Sequence, residues 1–249
     1  MKHPIRRRLM YLGFHELRVV AQRLPFEWAQ AVGRALGTLA YHVLSVQRRL
    51  TEEHLALALG AALTRQQRRQ TARTMFRNLG QNMMEWLVLP KLSMEAIRQL
   101  VTCDGVEHLR TALSKGNGAI MVTAHFGNWE LISIYLRGLG FEGGVLARRL
   151  RYPEYESYLT TMRQARGVST LVRGSLKEVA KLLRANQIVG VLPDQDVDSL
   201  DGIFVDFFHR PAHTPIGPAA LSLMTGAPIV PCFIRRTGRR FQLIIEPAL

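Results

Sequence analysis

The chain has 249 residues and a formal net charge of +14, from 33 Lys and Arg against 19 Asp and Glu. A hydrophobic fraction of 47% and a charged fraction of 21% exclude a disordered or collagen-like chain, and the length can bury a real core. Two cysteines, Cys103 and Cys232, exclude a disulfide framework and suit a reducing compartment. No cleavable signal is expected at the basic start, because Glu16, Arg18 and Arg23 interrupt the apolar stretch that would have to follow it. The charge is uneven, with +10 of it before residue 81. That balance points to nucleic acid, an anionic membrane surface or an acidic protein partner.

Residues 5–24 read as a basic amphipathic helix. Met10, Phe14, Leu17, Ala21 and Leu24 recur at helical spacing, and Pro25 ends the run. A second helix follows over Phe26–Val46. Its most apolar stretch, Ala35–Val46, falls short of the roughly 20 residues a bilayer span needs. A third helix starts at Thr64, where Thr64 and Gln67 have capping-box spacing, and runs to Leu89. These segments form an expected N-terminal helical, membrane-associating region, residues 1–90. Its basic faces and apolar stripes suit the membrane interface, although ordinary packing on a core uses the same pattern.

From Gly105 the texture changes. Helices at Val106–Ser114, Trp129–Arg137, Pro153–Arg166, Leu176–Ala185 and Pro215–Met224 alternate with short apolar strands. The strands are expected at Ala119–Thr123, Gly144–Ala147, Ser169–Val172, Ile188–Leu192, Ile203–Phe207, Ile229–Ile234 and Phe241–Ile245. Continuous apolar strands between helices predict an α/β core over 91–249, with a central, mostly parallel β-sheet flanked by helices.

Two segments carry chemistry. His125-Phe-Gly-Asn-Trp-Glu130 follows the first apolar strand, and ligand groups in open α/β sheets gather at strand carboxyl ends. Gly127 permits a sharp turn, Asn128 is a candidate N-cap, and Glu130 then falls in the first helical turn. A His with a carboxylate one turn away can hold one tautomer and act as a general base. The second segment is Asp194-Gln195-Asp196-Val197-Asp198, after the strand Ile188–Leu192. Asp194 and Gln195 are expected to face the site, and Asp196, Asp198 and Asp201 to form a solvated turn. The spacing fails a calcium loop, since Ser199 and Val205 stand where Gly and Glu are needed. Gly138, Gly140 and Gly143 come after a helix rather than after a strand, the reverse of a dinucleotide fingerprint. His209 and His213 are separated by Pro211, which disfavours the helix that would align them on a metal. No nucleophile elbow, P-loop or zinc ligand set is present.

The segment Ala124–Leu131 resembles the His-x4-Asp/Glu signature of lysophospholipid and glycerolipid acyltransferases. In its fuller form it is similar to the lipid A late acyltransferases, the lauroyl/myristoyl transferase family. Further blocks follow in the family's order: Arg148 with Tyr152-Pro153, Arg166-Gly167, Asp194-Gln195, Val205–Thr214 with Gly217, and Ala227–Pro231. The resemblance runs from about Leu24 to the end. Tyr152 replaces the family's usual Asn, and His209 stands where the family usually has Gly. Members usually continue with a Trp/Arg-rich helical segment, so a truncated chain or a short variant is expected.

The resemblance implies transfer of an acyl group from acyl carrier protein or acyl-CoA to a hydroxyl of a lipid A precursor. His125 would be the general base and Glu130 would orient it. Gly127, Asn128, Arg148, Asp194 and Gln195 would bind substrate, with Arg148 on phosphate or oxyanion. Neither a metal nor a cofactor beyond the acyl donor is required. The expected partners are the donor, anionic membrane lipid and a phosphorylated glycolipid acceptor, without nucleic acid. The expected location is the cytoplasmic face of the bacterial inner membrane. Acylation of a phosphatidylinositol mannoside or a lysophospholipid is the alternative within the same chemistry. A non-catalytic basic protein that binds membrane or nucleic acid is the alternative outside it.

Overall fold

The computed structural model describes residues 4–60, 62–150, 152–172, 174–195 and 201–249, the side chains of 4–7, 9 and 10 excepted. The chain divides into two compact units. One is formed by residues up to Leu92 with Phe207–Arg210, the other by Ser93–Asp206 and Pro211–Leu249.

The first unit is helical: α1 (Pro4–Arg23), α2 (Phe26–Val43), α3 (Ser45–Leu59) and α4 (Arg65–Val88). The expected second helix breaks at Leu44, and α3 follows it as a separate helix with no buried residue. The Thr64 capping box is present, with the Thr64 side chain and Gln67 satisfying each other's backbone N–H groups. The α2–α4 contact is a backbone-to-backbone approach. A Cβ on Gly37 would lie 2.2 Å from the Phe76 carbonyl oxygen, and one on Gly80 would lie 2.3 Å from that of Gly33. A buried Gln30–Glu85 hydrogen bond of 2.9 Å crosses the same pair of helices.

The expectation of a place in the bacterial inner membrane is corrected by these helices. Among the described residues no helix is long and apolar enough to cross a membrane. The reason is polarity: α1 carries Arg6, Arg7, Arg8, Glu16, Arg18 and Arg23, and α2 has Glu27, Gln30, Arg34 and His42 along its 18 residues.

The second unit has an α/β fold. Its strands are β1 (Val101–Asp104), β2 (Ala119–Val122), β3 (Gly143–Ala147), β4 (Ser169–Val172), β5 (Ile188–Val191), β6 (Gly202–Asp206), β7 (Pro211–Pro215), β8 (Ile229–Thr237) and β9 (Arg240–Ile245). Its helices are α5 (Met94–Leu100), α6 (Val106–Leu113), α7 (Glu130–Gly138), α8 (Pro153–Gln164), α9 (Leu176–Arg184) and α10 (Gly217–Thr225). Seven strands form one sheet in the order β1-β9-β8-β2-β5-β3-β4, parallel throughout except for the β8–β9 hairpin. Ile120, Val189 and Val191 bury one face under Val179 and Leu183 of α9 and Leu221 of α10. Alternation sends Met121 and Gly190 to the opposite face, beneath α7.

Strands β6 and β7 form a separate antiparallel ribbon. Pro211 opens β7, so His213 lies on a strand and not on a helix with His209. His209 itself has φ +59°, in the left-handed region that favours glycine. That is the physical sense of the family's usual Gly at this place.

Candidate functional site

The site lies where the order of the sheet reverses. The chain leaves β2 to build β3, β4 and β5 on one side, then returns to place β8 on the other. Such switch points leave a crevice at the carboxyl ends of the strands. In the β2–β5 pair, Val122 stands opposite Val191, and the ladder continues one step further through the Thr123 N–H to the Val191 carbonyl at 3.0 Å. His125 and Asp194 each lie three residues beyond that matched pair. Neighbouring strands are about 4.8 Å apart, so the two residues emerge side by side.

Asp194 holds His125 at two points. Its Oδ2 accepts the His125 backbone N–H at 2.8 Å, and its Oδ1 pairs with Nδ1 of the imidazole at 2.7 Å. A carboxylate at this bond is an acceptor, so Nδ1 carries the proton. Nε2 of the neutral ring then keeps its lone pair, as a base requires. Both side chains are about one-third exposed, at 33% each. Trp129 meets the imidazole edge to face, with ring centroids 4.9 Å apart.

The structure differs from the expected His125–Glu130 pair. Glu130 opens α7 and is buried, and both its oxygens go to Arg163 of α8. The Nε–H donates to Oε2 at 2.8 Å and an Nη2–H donates to Oε1 at 2.5 Å. With 4% and 10% side-chain exposure, this is an interior ion pair joining two helices. Arg163 was not a candidate from the sequence. A helical arginine 33 residues from its partner gives no local signal.

The remaining candidates separate by exposure. Gly127 has φ +61°, and a Cβ there would lie 1.9 Å from the Ile234 carbonyl oxygen, so glycine is needed to seat the loop on β8. Asn128 is fully buried and is not the N-cap. Trp129 takes that position without a side-chain cap bond. Arg148 is exposed directly after β3, at the same end of the sheet, and Gln195 is exposed beside Asp194. Asp196 and Asp198 lie outside the described residues; Asp201 is exposed.

A cavity begins at Trp129 and runs under α7. Ile132 and Leu136 roof it, and Met121, Val145 and Gly190 form its floor. Its empty volume, mouth included, is ≈ 490 Å³. It extends from the level of Thr123 and Leu192 back to Ile188 and Phe141, four residue steps along β5 or about 13 Å. Gly190 matters here because any larger residue would occupy the floor. A Cβ there would lie 3.3 Å from Val145 Cγ1, closer than ordinary van der Waals contact, so Val145 would have to give by a few tenths of an ångström.

No cysteine is placed to act as a nucleophile. Burial pushes the Cys232 thiol, on the cavity wall, up to about 12. Burial, then the neighbouring Asp104 and Glu107, pushes Cys103 up to about 11. A thiol attacks as thiolate, and both stay protonated near neutrality.

Comparison with known proteins places the chain among acyltransferases. A family described as bacterial lipid A biosynthesis acyltransferase matches residues 1–249. The lipid A biosynthesis lauroyltransferase of Escherichia coli strain K12 is 30% identical over 250 residues, 98% of this chain and 80% of that protein. The phosphatidylinositol mannoside acyltransferase of Mycobacterium tuberculosis strain H37Rv is 30% identical over 150 residues, 58% of this chain and 47% of that protein. The match therefore spans about half the length of the mycobacterial relative. A lipid A biosynthesis acyltransferase of Haemophilus influenzae is 25% identical over 96% of this chain and 76% of that protein.

Proposed function

The chain belongs to the bacterial lipid A biosynthesis acyltransferase family, and from that premise we propose that it transfers a fatty acyl group from a thioester, on acyl carrier protein or coenzyme A, to a hydroxyl of a lipid A precursor. Family membership classes the chain as an acyltransferase, with an acyl donor and a lipid acceptor as its plausible partners. The observation that carries the finer reading is the adjacency of a tautomer-fixed imidazole and an apolar cavity, with Trp129 touching both.

In this reading His125 is the general base. Nε2 takes the proton of the acceptor hydroxyl as its oxygen attacks the thioester carbonyl carbon. The tetrahedral oxyanion forms beside the N-terminal end of α7, whose aligned peptide dipoles favour negative charge. The C–S bond then breaks, and the imidazolium returns its proton to the departing thiolate. Glu130 serves this step through Arg163, by fixing the first turn of α7 on which the His125 loop rests.

The cavity takes the acyl chain. Arg148, exposed at the same end of the sheet, is positioned to meet a phosphate on the acceptor. The basic charge concentrated before residue 81 suits an acidic carrier or anionic lipid headgroups, as does Gln195 for a polar headgroup contact at the mouth. A phosphatidylinositol mannoside is the second acceptor to consider, on the strength of the 30% identity to the mycobacterial enzyme.

The test is transfer of a labelled acyl group from acyl carrier protein or coenzyme A thioesters to a panel of lipid acceptors, read by mass spectrometry. The expected product is a lipid A precursor heavier by one acyl chain, absent with His125→Ala. Transfer to no acceptor, or undiminished transfer by His125→Ala, would overturn the reading.

A further inference from the structure

We propose that a row of arginines on α4 is the docking surface for the acidic carrier protein that delivers the acyl group. This rests on the reading of the chain as an acyltransferase with a thioester donor, and it favours a carrier protein over coenzyme A.

Arg65, Arg69, Arg73 and Arg77 recur every four residues on α4, and all are exposed. A row at that spacing drifts around the helix at the same rate as the buried seam Ala72, Phe76 and Gly80, so it stays on one flank of the packing against α2. At a rise of about 1.5 Å per residue the row is about 18 Å long. From Arg65 to Met84 the helix carries no carboxylate. Among the described residues one ion pair reaches the row, from Glu52 of α3 to Arg69 at 3.8 Å. Arg68, beside the start of the row, turns instead to the carbonyls of Gly60 and Leu63.

The row works against the helix that carries it. Like charges four residues apart repel, and each arginine after the first adds another such pair. Arg65 also opens the helix, where the peptide dipoles favour an acid, and the first turn holds none. Helix stability therefore does not account for these residues, whereas a partner of opposite charge does.

The surroundings select the class of partner. On the open side of the row lie Gln66, Gln70, Thr74 and Asn78, all exposed, polar and uncharged. They separate the arginines from the exposed Met75, Leu79 and Met83 on the opposite flank. A helix that lies in a lipid surface needs apolar side chains next to its cations, to enter the hydrocarbon. Guanidinium groups bordered by amides and hydroxyls suit carboxylates on a protein surface. An acidic helix with a carboxylate every four residues repeats at about 6 Å, in register with the arginines. The phosphates of coenzyme A form a compact group that a row of this length outreaches.

The experiment measures binding of fluorescently labelled holo-acyl carrier protein by anisotropy, at about 50 and about 300 mM salt. The intact chain is compared with Arg73→Glu/Arg77→Glu, with the milder Arg73→Gln/Arg77→Gln, and with Arg110→Glu/Lys115→Glu, which changes the same charge at exposed positions of the second unit. At the lower salt the dissociation constant is expected to rise about tenfold or more in the first variant and about threefold or more in the second, and to stay within about twofold in the third. The higher salt should weaken binding by the intact chain about tenfold and by the first variant much less. In acyl transfer, Arg73→Glu/Arg77→Glu should raise KM for the carrier-borne donor, with kcat and KM for the coenzyme A thioester unchanged. Arg73→Gln/Arg77→Gln relieves like-charge repulsion, so its melting temperature should not fall. Absence of carrier binding by the intact chain, equal losses in the first and third variants, or a lower melting temperature for Arg73→Gln/Arg77→Gln would each overturn the proposal. Binding to phosphatidylglycerol vesicles that is lost in Arg73→Glu/Arg77→Glu, while the carrier still binds that variant, would overturn it in favour of a lipid surface. Carrier binding needs no turnover, so it decides the role of the row even if the intact chain transfers no acyl group, which would be the failure of the functional reading alone.

Discussion

Replacing Arg163 by Met leaves the Glu130 carboxylate in the interior without its two charge-assisted hydrogen bonds. Glu130 is 4% and Arg163 10% exposed, so solvent does not screen the pair. Removing one partner of such a buried pair costs about 3–5 kcal/mol, against a total domain stability of about 5–15 kcal/mol. With a urea slope of about 2 kcal/mol per molar, the midpoint of unfolding should fall by about 1.5–2.5 M. Trp129 adjoins Glu130 in sequence and serves as the reporter once Trp28 and Trp86 are changed to Phe. The double variant Glu130→Leu/Arg163→Met leaves no unpaired charge and should recover to within about 1 kcal/mol of the intact chain. If Arg163→Met moves the midpoint by less than about 0.5 M, corresponding to under about 1 kcal/mol, the pair is not the interior brace described here. The double variant has a second use. If it folds and transfers at a normal rate, Glu130 acts only by bracing α7.

Other residues yield narrower tests. Gly37→Val should destabilise the helical unit by at least about 1–3 kcal/mol in thermal unfolding, because even the Cβ would sit 2.2 Å from a backbone oxygen; an unchanged transition would mean that α2 and α4 do not touch as described. Gly190→Leu should fill the cavity floor and shift donor preference toward shorter acyl chains by roughly tenfold or more in kcat/KM, a ratio measured with paired thioesters; equal losses for all chain lengths would contradict an acyl role for the cavity. Cys232 should resist iodoacetamide at pH 8 in the native protein and react after denaturation, and fast native labelling would count against a buried neutral thiol. Its raised pKa also fixes a sign. Between about 9 and about 12 the unfolded thiol loses its proton while the folded one keeps it, so stability falls with rising pH in that window. Cys232→Ala should flatten part of that fall, as read by urea midpoints at pH 8, 9 and 10.

Local chemistry was legible in the sequence and long-range pairing was not. The Thr64–Gln67 capping box could be read because its partners are three residues apart. Strands β2 and β5 could be read because both are short continuous apolar runs. Their adjacency could not, since nothing in either run encodes the order of the sheet. The Asp194–His125 bond depends on that adjacency, so Asp194 was expected at the site but as a substrate contact. Glu130 was placed in the first turn of α7 correctly, yet its partner was misassigned because Arg163 arrives from another helix. Asn128 has N-cap chemistry, but the loop buries it and leaves Trp129 at the helix start. Strand β1 is only four residues long and β7 begins and ends in Pro, and neither was among the expected strands. Helix α3 was missed because its mixed sequence buries no residue and so carries no core stripe.

The central claim is that His125 is the base for acyl transfer. Its most direct measurement is single-turnover transfer from a labelled acyl thioester to the lipid acceptor, comparing the intact chain with His125→Gln at matched unfolding midpoints. The account predicts a loss of about 10²–10⁴-fold in the transfer rate, with no acyl group left on the protein. Transfer at the intact rate by folded His125→Gln, or a stable acyl-protein adduct on the path to product, would contradict it.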